Sequence, residues 1–384
     1  MTYGDIGSKI YRHRKGICRE QKDVFGMVMN MTVLYSVLHM LIDGVCAIAM
    51  FGWFCLGEQG YLNILLYNFC AFALQMPLGV ILDLWNAGNL TARSTDEKTG
   101  KDIPLCYAAV GTGLTLFGAF THPVLLGLGN ALFHLGGGVD VIREDQRRGK
   151  RGKDLGVFVA PGALGLFLGG LLAKESKAEY AVLLFGIVMI GLLWWLRKEK
   201  RNDSRAKTVY ITEEKTIVHR EKRIVIFGCL AVVILRSYVG MAVALPWKTT
   251  VFMGLFSVCA VVAGKIAGGF LAAKFGIRKT IVLSLVLAAV CYPFCGQVAA
   301  GWLALFFFNM TMPITLYLLV NRFPKLSGFS FGLLTFGLFL GFLPVYFECK
   351  LPVSGGLLGM LGSLISLLLL HIVTWKRKGE GLSD

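Results

Sequence analysis

The chain has 384 residues, of which 55% are hydrophobic and only 16% charged, and its mean hydropathy is +0.66. Soluble domains carry about 25% charged residues, so a chain this apolar cannot hide its surface in one aqueous core, and lipid is its expected solvent. A net charge of +16 and a pI near 9.5 would suit a nucleic-acid binder, but the placement of the charges, counted below, excludes that reading. The ten cysteines are scattered, with no CxxC pair; only Cys291 and Cys295 share a helix face. All ten are read as small buried apolar residues in a reducing or lipid setting, and no metal or other cofactor is expected.

A spanning helix needs about 20 mostly apolar residues. In chain order the predicted spans are 27–56, 60–84, 104–121, 122–142, 154–173, 179–196, 224–246, 251–273, 279–298, 302–321, 328–347 and 353–373. The first follows a basic segment from Lys9 to Lys22, and its apolar run is too long for a cleavable signal peptide. The third and fourth meet at Thr121-His122-Pro123. The longest polar stretch, Arg197 to Arg223, divides the chain into an N-terminal bundle (1–196), a linker (197–223) and a C-terminal bundle (224–384). With the N-terminus placed inside, 33 Lys and Arg residues fall in inner segments and four in outer loops (Lys174, Lys177, Lys248 and Lys350). That asymmetry predicts an inner-membrane protein with both termini cytoplasmic. It also accounts for the basic pI without nucleic acid, and the run 197–223 is read as an ordinary positive-inside linker.

The two charges outside this count, Arg236 and Lys265, lie within spans, as do His39, Asp43 and His134. Ionisable groups in a membrane cost about 2.5–3.5 kcal/mol each and are functional candidates by default. His39 and Asp43 are four apart on one helix face. Such a pair holds or passes a proton, or else fixes helix packing. Arg236 lies about 18 Å into its helix and must face a carboxylate, water or an anionic substrate, with Asp43 as its natural partner. His134 precedes Gly136-Gly-Gly138, where the backbone is expected to open and line a cavity, against the alternative of a helix-packing hydrogen bond. Lys265 is a substrate contact or the partner of an inner acid. Asp140, Glu144 and Asp145 beside Arg143, Arg147 and Arg148 read as an inner gate, together with Asp83. Tyr35, Tyr67, Asn68, Gln75, Tyr238 and Gln297 are further polar options, each also explicable by packing.

The two halves echo each other. Gly165-Leu-Phe-Leu-Gly169 in the fifth span recurs as Gly337-Leu-Phe-Leu-Gly341 in the eleventh, and the turn after Gly79-Val-Ile-Leu-Asp83 has a counterpart ending in Gly276-Ile-Arg-Lys279. Parallel six-span repeats around a midplane site are a transporter architecture. The pattern resembles the major facilitator superfamily, and more narrowly its fosmidomycin-resistance-type branch, on His39-Met-Leu-Ile-Asp43, Gly129-Asn-Ala-Leu-Phe-His134, the glycine run Gly162 to Leu172, and Leu235-Arg-Ser237. The resemblance implies an all-α integral membrane fold of twelve helices in two six-helix bundles, with the first, fourth, seventh and tenth helices lining a central cavity. His39, Asp43, His134 and Arg236 fall on three of these, and the tenth offers Asn309, Thr311 and Thr315.

The expected function is secondary active transport of a small organic solute by alternating access, in proton-coupled export, with an anionic or zwitterionic cargo favoured by Arg236 and Lys265. The expected partners are the substrate, protons and membrane lipids, and the expected state is a monomer. No Walker A loop is present, which argues against ATP-driven pumping. The competing readings are a membrane enzyme using His39 and Asp43, disfavoured because no nucleophile or metal cluster accompanies them and the pair lies mid-membrane, and a transport-inactive sensor.

Overall fold

The computed structural model describes residues 31–93, 102–202, 219–349 and 351–375. Among these are twelve helices long and apolar enough to span a bilayer: α1 (Met31–Phe54), α2 (Gly60–Ala87), α3 (Ile103–Thr121), α4 (Pro123–Arg147), α5 (Lys153–Leu172), α6 (Ala178–Arg201), α7 (Arg223–Ala242), α8 (Val251–Phe275), α9 (Ile277–Phe294), α10 (Val298–Arg322), α11 (Ser327–Tyr346) and α12 (Gly355–Thr374). No strand occurs among the described residues. The basic segment before residue 31 and linker residues 203–218 lie outside them.

Helix ends depart from the apolar reading for local reasons. α4 runs past 142 to Arg147 because Glu144 pairs with Arg147 and Arg148 (2.6 and 2.5 Å), so the charged turn stays helical. α6 runs past 196 to Arg201, taking Lys200 out of the expected linker. α7 stops at Ala242, ahead of Pro246, and α9 at Phe294, beside Pro293.

Helices gain little by burying apolar surface from lipid that is itself apolar, so close approach at small residues holds the bundles together. The repeated glycine motif serves this purpose twice. In the first half a side chain at Gly165 or Gly169 would overlap the backbone of α1 at Met40 and Gly44; in the second, one at Gly341 would overlap α7 at Ile234 and Ser237. The bundles then meet along two related seams. In the first, α2 meets α11 where Gly79 and Gly328 lie backbone to backbone. In the second, α5 meets α8 where a Cβ on Gly269 would stand 2.6 Å from the Gly152 carbonyl oxygen. At the other end of the first seam Tyr61 and Tyr346 stack at 4.1 Å, each hydroxyl donating to the other's carbonyl. Large apolar side chains such as Leu184, Ile187 and Leu368 stay exposed on the perimeter, where lipid covers them.

α1 and α4 are the most enclosed spans, with 83% of the apolar window of each buried, and they are therefore the helices able to carry polar groups away from lipid.

Replacing Gly165 with Leu should lower the thermal unfolding midpoint of the purified protein, by the equivalent of about 1–3 kcal/mol of overpacking. Gly113→Leu, at a helical glycine with open space around it, should leave the midpoint unchanged.

Candidate functional site

The site begins with a break in α5. The segments Lys153–Val159 and Gly162–Leu172 are separate helices, interrupted at Ala160 and Pro161. Pro161 has no amide hydrogen to offer the carbonyl four residues back. In a bilayer an unmet carbonyl costs about 2–7 kcal/mol, so donors must come from side chains. Three consecutive carbonyls receive one each. Ser36 Oγ donates to Val157 (3.2 Å), His39 Nδ1 to Phe158 (2.7 Å) and Lys265 Nζ to Val159 (3.0 Å). The first two donors stand on α1 and the third on α8 of the opposite bundle.

These contacts set the chemistry of the cluster they frame. His39 Nε2 lies 3.2 Å from Asp43 Oδ2, and His134 Nε2 lies 3.7 Å from Asp43 Oδ1. Asn130 Nδ2 donates to Oδ1 at 3.1 Å, and the two imidazoles meet edge to face at 4.4 Å. His134 Nδ1 faces the Asn130 carbonyl at 2.9 Å. A carbonyl oxygen only accepts, so both Nδ1 atoms carry hydrogen and both Nε2 atoms face the carboxylate. When neither Nε2 carries hydrogen, three acceptors face one another, a set that a proton or another cation completes. All three side chains are buried. The second helix of α5 starts directly above them: a Cβ on Gly162 would collide with Asp43 Oδ2 and His39 Nε2, so only glycine admits the close approach.

Across the interface stand the two cations. Arg236 is buried, its Nη1 has no hydrogen-bond partner, and no carboxylate lies within ion-pair distance among the described residues. Lys265 lies within electrostatic range of both Arg236 and Asp43, but its hydrogen bond goes to the neutral Val159 carbonyl. The pairing of Asp43 with Arg236 expected from the repeat is therefore not what the structure shows. Asp43 is taken up by His39, His134 and Asn130 within its own bundle. Nor does Lys265 pair with an inner acid.

The gate residues sit at the basic end. Both Asp83 oxygens accept from the first amides of α11, Gly328 (2.9 Å) and Phe329 (2.8 Å), with Arg143 in electrostatic range. Asp140 pairs with Lys200 and accepts from Tyr35 (2.5 Å), and Lys200 also reaches Asp102 (2.6 Å). Asp145 accepts from the amides of Gly152 and Asp154 and fixes the turn into α5.

The remaining candidates lie elsewhere. Tyr35 belongs to this gate network rather than to the central cluster. Tyr238 reaches the Cys349 carbonyl in the loop after α11. Asn309, Thr311 and Thr315 donate to carbonyls of their own helix, at Leu305, Phe308 and Met312. Gly136, Gly137 and Gly138 do not open the backbone: α4 stays helical there, and the glycines admit α3, Tyr35 and Phe331 at close range. Asn130, Ser36 and Lys200 carry roles that the sequence reading did not assign. Asn130 had a signal, one turn before His134 on the same face.

Restoring an amide hydrogen with Pro161→Ala should close the break and withdraw the carbonyls that hold His39 and Lys265. Amide exchange at residues 162–163 should slow, and any transport should fall at least about tenfold; unchanged exchange would mean that Pro161 does not set the break.

No family model matches the chain, and no curated protein matches it by sequence. Solved structures do. A major facilitator superfamily transporter, FucP, in its outward conformation superposes with TM-score 0.63 at 12% identity, covering 92% of this chain and 99% of that one. A variant of the E. coli fucose:proton symporter FucP gives 0.59 at 12% identity over 92% and 98%. The human organic anion transporter MFSD10 (TETRAN) gives 0.57 at 13% identity over 91% and 99%. The chain is thus a multi-pass membrane protein with the fold of the major facilitator transporters.

Proposed function

We propose that this protein is a secondary active transporter that moves a small organic anion across the inner cell membrane by alternating access. The observation that carries the reading is Arg236: a buried guanidinium with an unpartnered Nη1 and, among the described residues, no carboxylate beside it, reinforced by Lys265. A permanent charge inside a membrane costs about 2.5–3.5 kcal/mol even on insertion scales. Two such charges left without acids are poised for an anionic cargo, which makes charged hydrogen bonds to them. A neighbour of the same fold is described as an organic anion transporter.

In this reading the coupling cation is taken up among Asp43, His39 and His134, and a proton serves, as it does in the fucose:proton symporter that shares the fold. Cargo leaves as the proton enters. Asp83 with Arg143, and Asp140 with Lys200, close the cytoplasmic side and part when the bundles rock. Both termini and the basic loops lie in the cytoplasm, the N-terminal bundle ends where the 197–223 linker region begins, and a monomer suffices because both ion centres lie within one chain. The resemblance to the fosmidomycin-resistance-type branch is part of this reading and rests on the four stretches that carry it.

Purified protein in liposomes tests it. Arg236→Gln should weaken binding of the anionic cargo about 10- to 100-fold, the loss of a charged hydrogen bond worth about 1.5–3 kcal/mol; equal affinity would remove Arg236 from the site. Asp43→Asn should abolish gradient-driven accumulation and leave cargo exchange intact; unchanged accumulation would remove Asp43 from coupling. Chemical turnover of the cargo would favour the enzyme reading, and binding without flux the sensor.

A further inference from the structure

The acceptors around Asp43 have a second use. We propose that His39, Asp43 and His134 form a binding site for a divalent transition-metal ion of the zinc, cobalt or nickel class. The inference rests on the arrangement of donor atoms and not on the identity of the cargo; a proton and the metal ion compete for the same three residues.

Four features carry it. One donor atom from each of the three residues lies within 4.8 Å of the others. Metal–nitrogen and metal–oxygen bonds of about 2.0–2.1 Å place tetrahedral ligands about 3.3–3.4 Å apart. Each histidine stands near that spacing from its own carboxylate oxygen, His39 Nε2 3.2 Å from Asp43 Oδ2 and His134 Nε2 3.7 Å from Asp43 Oδ1, so side-chain rotations bring one donor from each residue onto a single ion.

The outer contacts are those a metal site needs. A ligating imidazole almost always donates its other ring hydrogen to a carbonyl or carboxylate, which fixes the tautomer and aims the lone pair. Both histidines do so, His39 to Phe158 and His134 to Asn130. The Phe158 carbonyl accepts beside the α5 break. Asn130 then holds the carboxylate through its amide.

The donor set selects the ion. Two imidazoles and a carboxylate suit Zn²⁺, Co²⁺ and Ni²⁺, whereas Mg²⁺ and Ca²⁺ want oxygen alone. Three protein ligands leave a fourth position for water or an anionic group.

Finally, the bare cluster is short of positive charge. Two lone pairs and a carboxylate converge in a buried space, and Asn130 supplies the one neutral donor reaching the carboxylate among the described residues. A dication satisfies all three acceptors at once. Lys265 opposes it at longer range, while its hydrogen bond directs its ammonium to the Val159 carbonyl.

The test uses the purified full-length chain in detergent, with tags removed and Co²⁺ as the probe. One Co²⁺ per chain should bind with the visible absorption of a tetrahedral nitrogen and oxygen site, and Zn²⁺ should displace it. His134→Ala and Asp43→Asn should each weaken binding at least about 100-fold. Asn130→Ala should weaken it about 10- to 100-fold, as loss of an outer contact does. The double variant His122→Ala/His371→Ala, at residues on α-helix ends away from the cluster, should bind as wild type. Should the cluster variants not fold, X-ray absorption on Zn²⁺-loaded wild type decides: two imidazoles and a carboxylate are expected. A sulfur shell, a shell without histidine, binding unaffected by His134→Ala, or no binding at millimolar Co²⁺ would overturn the proposal. Transport enters none of these readouts, so failure of the transporter reading would be separately visible.

Discussion

The interruption of α5 at Ala160 and Pro161 is the constraint on which the rest depends. A membrane helix normally satisfies its own backbone, and breaking it exposes carbonyls that lipid cannot meet. Here the carbonyls of Val157, Phe158 and Val159 take donors from Ser36, His39 and Lys265. The break thereby fixes three things together. It ties α1 to α5 within one bundle. It holds the His39 ring by Nδ1, and so turns Nε2 toward Asp43. It also reaches across to α8, so that one bundle's backbone engages the other bundle's charge.

The two bundles carry complementary centres as a result. One gathers the acceptors around Asp43; the other holds Lys265 and Arg236, which has no acid within ion-pair distance among the described residues. Neither is neutralised by a direct salt bridge to the other. A closed Asp43–Arg236 pair would satisfy both charges and tie the bundles together. In the structure the two centres stay apart at the interface between the bundles. Around the centres, the seams hold by close backbone approach at Gly79, Gly328 and Gly269 and by amides capped at Asp83, contacts that can part without exposing large apolar faces.

The spans, their number and the enclosed polar residues were legible in the sequence because bilayer thickness and the cost of buried charge act on composition directly. The repeat of Gly165/Gly169 as Gly337/Gly341 was visible, and its cause is close packing on α1 and α7, against backbone at Gly165, Gly169 and Gly341 and against the side chains of Leu230 and Val233 at Gly337. Partner choice was not legible. Spacing along a helix shows that His39 and Asp43 share a face, but whether Asp43 meets Arg236 or His134 depends on helix tilt and rotation, which no single helix encodes. Lys200 was assigned to the linker because its turn is charged, although acids on α3 and α4 hold that turn in place. The consequence of Pro161 was not legible either, because it lies in the donors that Ser36, His39 and Lys265 bring to three carbonyls up to one turn before it.

The account's central claim is that the bundles rock around these centres, and distances between spin labels test it most directly. Label pairs would be placed at the two ends of the α5–α8 seam, on Arg151 with Lys274 and on Glu175 with Lys248, all at exposed positions. In lipid nanodiscs each pair should show two distances, and the populations should shift in opposite senses at the two ends when a small organic anion or the pH is changed. A single fixed distance at both ends under every condition would contradict alternating access in this protein.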